Sequence, residues 1–286
     1  MERSPVNVAW PTGLDEAVEA AAAPEAQLLS GGTDFVVEVN AGQRRPSAVV
    51  ALRRVRELRH LEVGDDEVVI GAGTTFTKLS DELASAVPAL AAAARTVGSP
   101  QIRNAGTIGG NIATASPAGD TLPVLAALDA TVELRSAGGT RSIPVRDVIT
   151  GVKRTTLAPG ELLVSVRVPR MRGPQHFLKV GTRNAMVIAL ASVALVVDEE
   201  HRTVAFGLGS VGPVVVRPQA AETFMAAAFD WETMTVAEGA LVRCGQLAAQ
   251  AAVPISDHRA TAEYRRHAIS VIVGRALRRS VRVVSG

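Results

Sequence analysis

Two glycine pairs with hydroxyl and amide neighbours mark where this sequence could bind a charged ligand. The first follows an apolar, strand-like run, and the second lies in a stretch rich in Gly, Ser, Asn and Pro from 98 to 120. Because glycine has no Cβ, consecutive glycines can present main-chain N–H groups to an anion, and two such corners suit a diphosphate. The first corner consists of Leu29, Ser30, Gly31, Gly32, Thr33 and Asp34, and the second of Thr107, Ile108, Gly109, Gly110 and Asn111.

Each corner also has a purely structural interpretation, which the residues leave open. Gly31 and Gly32 can form a tight turn, with Thr33 or Asp34 capping a helix. The second corner can be a loop whose glycines only turn the chain, although loops of this length usually have a function. Asp120 is a suitable acceptor for sugar or ribityl hydroxyls. Lys179 can approach a phosphate or a flavin edge as a point charge, or extend into solvent.

Other kinds of chemistry find little support in the residue types. The single cysteine, Cys244, cannot form an internal disulfide or a thiolate metal cage, and the five histidines form no metal-binding motif, so no metal site is predicted. Gly71-Ala72-Gly73 follows a strand-like run, but Phe76 stands where a Rossmann fingerprint needs a small residue. No nucleophile has a partner at a suitable spacing, so we predict no catalytic side chain. Chemistry would belong to a cofactor.

The elements that must position these corners fall into two predicted domains. In the first, 1–170, a small βαβ unit over about 1–55 precedes a larger unit over about 56–170. Helices are expected at Leu14–Ala23, 78–83 and 89–95, and strands at 27–30, 48–52, 68–70, 130–135 and 162–168. The stretch from 98 to 120 is predicted to contain no helix, because turn-forming residues dominate it.

A break at Pro169–Pro174 separates a second domain, 175–286. It is predicted to have strands at 177–180, 187–197 and 203–208, then helices from Ala220, the last over about 257–283 behind a Ser256/Asp257 cap. Strands followed by helices indicate an α+β fold. The longest apolar run, Met186–Val197, is too short to cross a bilayer. With a net charge of +2 and no secretory signal, the sequence predicts a cytoplasmic chain that binds no nucleic acid.

Several segments resemble one known family over nearly the whole chain. They are SGGTDF (30–35), GAGTTFTKL (71–79), SPQIRNAGTIGGNIATASPAGD (99–120), GELLVSVRVP (160–169), FLKVGTRNAM (177–186) and SDHRATAEYRRHAISVIVGRAL (256–277). The chain is similar to the FAD-binding (medium) subunit of the molybdenum hydroxylases, the family of xanthine, carbon monoxide and N-heterocycle dehydrogenases.

The resemblance implies a fold and a cofactor site. The fold would be a two-subdomain FAD-binding domain of the vanillyl-alcohol-oxidase (PCMH) type, followed by a domain with a small antiparallel sheet and a helical bundle. Both glycine corners would hold the FAD pyrophosphate, and Asp120 would meet cofactor hydroxyls. Leu163 would pack near the flavin, and Lys179 would lie at its polar edge. With a single tyrosine in the chain, ring contacts would be largely aliphatic, for example through Ile108.

The resemblance also implies an oxidoreductase assembled from several chains. This subunit would pass electrons from the 2Fe–2S clusters of a small partner subunit, through FAD, to a soluble acceptor. A large partner subunit would carry the molybdopterin centre that hydroxylates the substrate. Lys179 would favour reduced flavin by its charge. Two alternatives remain: a self-contained flavin oxidoreductase acting on its own small organic substrate, and a scaffold that has lost the cofactor.

Overall fold

The computed structural model describes residues 6–284. The N-terminal unit consists of β1 (Asn7–Ala9), α1 (Leu14–Ala21), β2 (Ala26–Leu29), α2 (Phe35–Asn40) and β3 (Ala48–Ala51), followed by two 3-10 turns (Leu52–Arg54 and Arg56–Arg59). The strands form a parallel sheet in the order β1-β3-β2. Helix α1 buries Ala17, Val18 and Ala21, and its first turn carries Asp15 and Glu16, where negative charge stabilises a helix.

The second unit is built around a five-stranded antiparallel sheet. Its strands are β4 (Leu61–Val63), β5 (Glu67–Gly71), β6 (Thr131–Ser136), β7 (Gly139–Pro144) and β10 (Leu162–Pro169); a small hairpin, β8 (Ile149–Gly151) and β9 (Arg154–Thr155), lies beside it. The helices are α3 (Phe76–Glu82), α4 (Pro88–Thr96), α5 (Pro100–Ala105), α6 (Ile108–Thr114), α7 (Leu122–Ala127) and α8 (Val145–Val148). The large sheet has the order β4-β5-β10-β6-β7.

The expectation of no helix between 98 and 120 is wrong. Helices α5 and α6 occupy much of this stretch, and its turn-forming residues mark their ends. The Ser99 and Thr107 hydroxyls accept hydrogen bonds from the amides of Ile102 and Gly110 and so cap the two helices. Gly109 is needed inside α6 because a Cβ there would lie 2.6 Å from the Cβ of Ala72. The composition therefore reflects two short capped helices and a close packing contact.

The C-terminal part has an antiparallel sheet covered by helices. It contains β11 (Gln175–Val180), β12 (Ala191–Asp198), β13 (Thr203–Gly209), α9 (Gln219–Ala228), β14 (Thr235–Ala237), α10 (Glu238–Ala251), α11 (Ala262–Ser280) and β15 (Arg282–Val284). Every residue of β12 is buried. Ala194 and Val196 join the core of the second unit, whereas Val193 and Leu195 join the helical core. A strand buried on both faces explains why its sequence is a continuous apolar run.

Two predicted boundaries in this part are wrong. Strand β12 begins at Ala191 rather than 187, because residues 187–190 belong to the loop that follows β11. Helix α11 begins at Ala262 rather than 257, since Thr261 is its cap and Asp257 instead accepts the amides of Arg259 and Ala260 in a preceding turn. Among residues 6–284, no helix is both long and apolar enough to span a bilayer.

Candidate cofactor site

A cavity of about 770 Å³ lies where the N-terminal unit, the second unit and the β11–β12 loop meet. Of the residues predicted to form a site, all except Leu29 and Ile108 line it. Ile108 is fully buried in the core of the second unit and does not line the cavity, so nothing in the structure supports the predicted contact with a ring system. Leu29 ends strand β2 and also lies outside the lining. The structure thus brings together two corners that are about 75 residues apart in sequence.

The first corner connects β2 to α2 and offers unused hydrogen-bond donors. Across residues 6–284, the amides of Gly31, Gly32, Thr33 and Asp34 donate to no protein acceptor. Gly32 has a φ of +77°, a conformation that glycine adopts without strain. These four residues line the cavity, so their amides are available to a bound anion.

The two corners contact each other directly. The Ser30 and Thr107 hydroxyl oxygens are 3.0 Å apart, one donating to the other. A Cβ at Gly31 would overlap the carbonyl oxygen of Ala105 and lie 2.9 Å from the Cα of Gly106. Gly31 is therefore required by the close approach of the two units, a role that the sequence alone did not indicate.

The second corner is not the set of free amides that the sequence predicts. The amides of Ile108 and Gly109 donate to the carbonyls of Thr74 and Ala72, at 3.1 and 2.9 Å. Gly110 donates to the Thr107 hydroxyl at 3.1 Å, and Asn111 donates to the Thr107 carbonyl at 3.0 Å. These bonds attach the start of α6 to the turn after β5. The corner forms a wall of the cavity, and the free donors belong to the first corner.

Asp120 and Lys179 form a buried ion pair at the cavity. The Lys179 Nζ donates to Asp120 Oδ2 at 2.6 Å and to the Thr96 carbonyl at 3.3 Å, and the two charged side chains are 10% and 6% exposed. Burial raises the pKa of the Asp120 carboxyl, while the Lys179 ammonium and the Thr96 hydroxyl oppose that rise. Lys179 is thus not the uncompensated cation that the sequence suggests.

One oxygen of this pair is left for a ligand. Asp120 Oδ1 is buried and, within residues 6–284, has no hydrogen-bond partner. A buried polar atom without a partner is costly unless something else satisfies it. Because Asp120 lines the cavity, a hydroxyl or N–H group of a bound molecule is the natural donor.

Several lining residues were not found from the sequence. Glu38, Arg44 and Lys153 form a charged cluster, and Glu161 makes a bidentate ion pair with Arg141 at 2.7 and 2.8 Å. Apolar lining side chains include Leu28, Leu52, Leu58, Leu157, the aromatic Phe35 and Phe76, and the loop residues Met186, Val187 and Ile188. The Lys153–Glu38 pair joins residues 115 positions apart and the Arg141–Glu161 pair joins residues 20 apart, so no local pattern marks these two pairs. Glu161 lies in the GELL segment at 160–163, and only the family resemblance of that segment could have drawn attention to it.

The lining fits a large cofactor with a diphosphate and apolar rings. It combines free main-chain donors, one unsatisfied carboxylate oxygen and aliphatic side chains, in a volume typical of a ligand site. No histidine, cysteine or tyrosine is among the described lining residues. Within residues 6–284, no group of three His, Cys, Asp or Glu side chains could hold a metal ion.

Comparison with known families decides which cofactor this is. The family model of the FAD binding domain in molybdopterin dehydrogenase matches residues 4–171. The chain belongs to this family. The model of the CO dehydrogenase flavoprotein C-terminal domain matches residues 176–280. FAD is therefore the cofactor of this flavoprotein subunit, and the family resemblance and oxidoreductase class expected from the sequence are confirmed.

Individual relatives agree with this assignment along the chain. The nicotinate dehydrogenase FAD-subunit of Eubacterium barkeri is 34% identical over 219 residues, covering 72% of this chain and 74% of its own. The carbon monoxide dehydrogenase medium chain of Afipia carboxidovorans is 31% identical, covering 90% and 89%. A chain of the carbon monoxide dehydrogenase structure from Hydrogenophaga pseudoflava superposes with a TM-score of 0.87 at 29% identity, covering 98% of each. The predicted α+β fold, with an FAD-binding domain followed by a small antiparallel sheet and helices, is confirmed.

Proposed function

We propose that this flavoprotein transfers electrons within a molybdenum-containing hydroxylase. It would accept them from 2Fe–2S clusters of a small partner subunit, after a large molybdopterin subunit has hydroxylated the substrate, and deliver them to a soluble acceptor. FAD supplies the chemistry, because a flavin can accept electrons singly and release them as a pair. What supports this role most is the cavity: it fits FAD, yet its lining offers no histidine, cysteine or tyrosine for acid–base work on an organic substrate.

We infer that the amides of Gly31 to Asp34 hold the pyrophosphate. The lining includes three cationic side chains, Arg44, Lys153 and Lys179, against four carboxylates, Asp34, Glu38, Asp120 and Glu161. Side chains therefore do not give the cavity an excess of positive charge. Neutral main-chain donors are then the groups best placed to stabilise two phosphate charges.

The remaining lining residues would orient the two ends of the cofactor. Asp120 Oδ1 would accept a hydrogen bond from a cofactor hydroxyl, and Lys179 would hold the Asp120 side chain in place. Leu163 would pack against a ring together with neighbouring aliphatic side chains. Thr107, Gly109, Gly110 and Asn111 would form the facing wall, which Gly109 allows to pack closely against Ala72.

The alternative of a self-contained flavin oxidoreductase needs a group that removes a proton from its substrate. Three lining carboxylates, Glu38, Asp120 and Glu161, are already paired with cations. The fourth, Asp34, accepts a hydrogen bond from the Thr114 hydroxyl at 3.5 Å. Ion pairing with Lys153 and with Arg141 lowers the pKa values of Glu38 and Glu161, so both are poor general bases at neutral pH. Burial raises the pKa of Asp120, but Lys179 donates to its Oδ2 at 2.6 Å and so occupies that oxygen. The lining therefore favours electron transfer over direct substrate oxidation.

Purification of the chain from the cells that make it tests the proposal. We expect flavin absorption bands at about 370 and 450 nm, which are properties of the cofactor itself. Chains containing iron–sulfur clusters and molybdenum should copurify with it. A flavin-loaded chain that elutes alone and oxidises an organic substrate would support the alternative instead.

A further inference from the structure

Two residues with left-handed backbone are hydrogen bonded to each other, and one of them, Lys153, lines the cavity. Ala115, at the end of α6, has a φ of +47°, and Lys153, at the tip of the β8–β9 hairpin, has a φ of +54°. The Lys153 amide donates to the Ala115 carbonyl at 3.0 Å. This conformation is unfavourable for residues with a Cβ, and glycine would adopt it without penalty. A lysine at such a position suggests that its side chain has a function.

The Lys153 side chain reaches across to the N-terminal unit. Its Nζ donates to Glu38 Oε1 at 2.8 Å, although the two residues are 115 positions apart. The other carboxylate oxygen of Glu38 accepts from Arg44 Nε at 3.0 Å, and the Arg44 guanidinium lies 4.7 Å from the centroid of the Phe35 ring. All four residues line the cavity. Glu38, Arg44 and Lys153 are called the clasp below.

Stability alone does not account for the clasp. The Lys153 side chain is 57% exposed, and Glu38 is 18% exposed. A pair with one partner this accessible adds little to folding, about as much as the left-handed backbone of Lys153 takes away. The bond to Lys153 holds the pKa of Glu38 below its usual range, so Glu38 is charged at neutral pH. The Lys153–Glu38 ion pair is therefore formed at neutral pH, although it adds little to the free energy of unfolding.

We propose that the clasp of Glu38, Arg44 and Lys153 controls how fast FAD leaves the cavity. It ties α2, which follows the pyrophosphate corner, to the β8–β9 hairpin of the second unit. Release of the cofactor then requires this bridge to open. The three residues are positioning residues: they restrain the walls of the site. This inference depends on FAD occupying the cavity as proposed above.

The rate of FAD release from the chain, in the complex in which it copurifies, tests the clasp. The probe is FAD itself, followed by the rise in flavin fluorescence after dilution. We expect Lys153→Gly to release FAD about fivefold faster, the equivalent of one exposed ion pair. The free energy of unfolding of the Lys153→Gly variant should be unchanged or higher, because glycine relieves the left-handed backbone strain at position 153. Lys153→Arg should keep slow release.

A matched control comes from the β12–β13 turn. Arg202 is an exposed cation with a φ of +52°, and it does not line the cavity. Arg202→Gly should relieve similar strain without changing FAD release. Added salt should speed release from the wild type by screening the clasp, and have little effect on Lys153→Gly.

Different results would contradict the role of the clasp and the assignment of FAD to the cavity. If Lys153→Gly releases FAD at the wild-type rate, the clasp does not control release. If this variant fails to fold, Glu38→Gln removes the same pair and carries the same expectation. A wild-type preparation that holds no flavin would overturn the FAD assignment itself, and the clasp with it.

Discussion

Gly31 stands where the N-terminal unit and the second unit touch. Its φ is not in the left-handed region, so only the close approach of Ala105 and Gly106 demands a glycine there. Because Gly31 has no side chain, the first corner, which carries the free amides, can pack against the residues that precede α6. The residue thus links domain packing to the geometry of the cofactor site.

Replacing Gly31 with alanine should therefore damage both packing and binding. We expect Gly31→Ala to lower the free energy of unfolding by about 1–3 kcal/mol, the usual effect of overpacking, and to reduce the FAD content of the purified chain. Urea unfolding and the flavin-to-protein absorbance ratio measure the two effects.

Gly239 provides the control for this substitution. It is exposed in α10, and a Cβ there would meet nothing within 4 Å. Gly239→Ala should be neutral or slightly stabilising and should leave the FAD content unchanged. Equal behaviour of the two variants would show that Gly31 has no special packing role.

At the scale of elements, the start of α6 fixes one wall of the cavity. The Thr107 hydroxyl accepts the Gly110 amide and also contacts Ser30 of the first corner. Thr261 caps α11 in the same way, accepting the Tyr264 amide at 3.1 Å, but lies in the C-terminal domain. The two caps are chemically matched, and one of them touches the candidate site.

Removing either cap should affect stability alike but FAD binding differently. We expect Thr107→Ala and Thr261→Ala each to lower the free energy of unfolding by about 1 kcal/mol. Only Thr107→Ala should weaken FAD binding, measured as the dissociation constant by flavin fluorescence, and Thr107→Ser should restore it. A comparable loss of FAD affinity in Thr261→Ala would mean that helix capping acts through global stability.

The turn before α11 predicts a pH dependence of stability. Hydrogen bonds from the Arg259 amide first, and then from Ala260 and Arg265, lower the pKa of Asp257 to about 2. A carboxyl whose pKa is depressed in the folded state stabilises that state above its unfolded pKa of about 3.9, and this contribution disappears as the pH falls to about 2. Arg265, which is 4% exposed, also donates to the carbonyls of Leu190 and Ser210.

Asp257→Asn should consequently lower the urea midpoint at neutral pH. The difference from the wild type should shrink as the pH falls from about 4 to about 2, because the wild-type carboxylate then becomes protonated. Asp65→Asn, in the exposed turn between β4 and β5, serves as the control. A difference that stays constant over this pH range would contradict the role given to the Asp257 charge.

At the scale of the whole molecule, the sequence predicted most elements and the position of both corners. Alternation and apolar runs located β5, β10 and β13, and glycine pairs located the corners. What it could not show depends on contacts between distant residues. The sequence does not distinguish the free amides of Gly31–Asp34 from the amides of Ile108 and Gly109, because the latter are occupied by the carbonyls of Thr74 and Ala72, more than 30 positions away.

The same limit applies to the charged side chains of the site. Lys179 was recognised, but its pairing with Asp120 follows from β11 lying beside the end of α4 and the turn before α7. Glu38 and Lys153 were missed because they are joined only when the β8–β9 hairpin folds against α2. Tertiary structure decides which charges face a ligand and which neutralise each other.

The proposed cofactor site depends most on the main-chain amides of Gly31, Gly32, Thr33 and Asp34, which would bind the FAD pyrophosphate between the two units. An experimental structure of the FAD-loaded chain measures this directly. We predict phosphate oxygens within hydrogen-bond distance, about 2.7–3.2 Å, of at least two of these amide nitrogens. Phosphates bound instead to the Arg44 and Lys153 side chains, with these amides facing solvent, would contradict it.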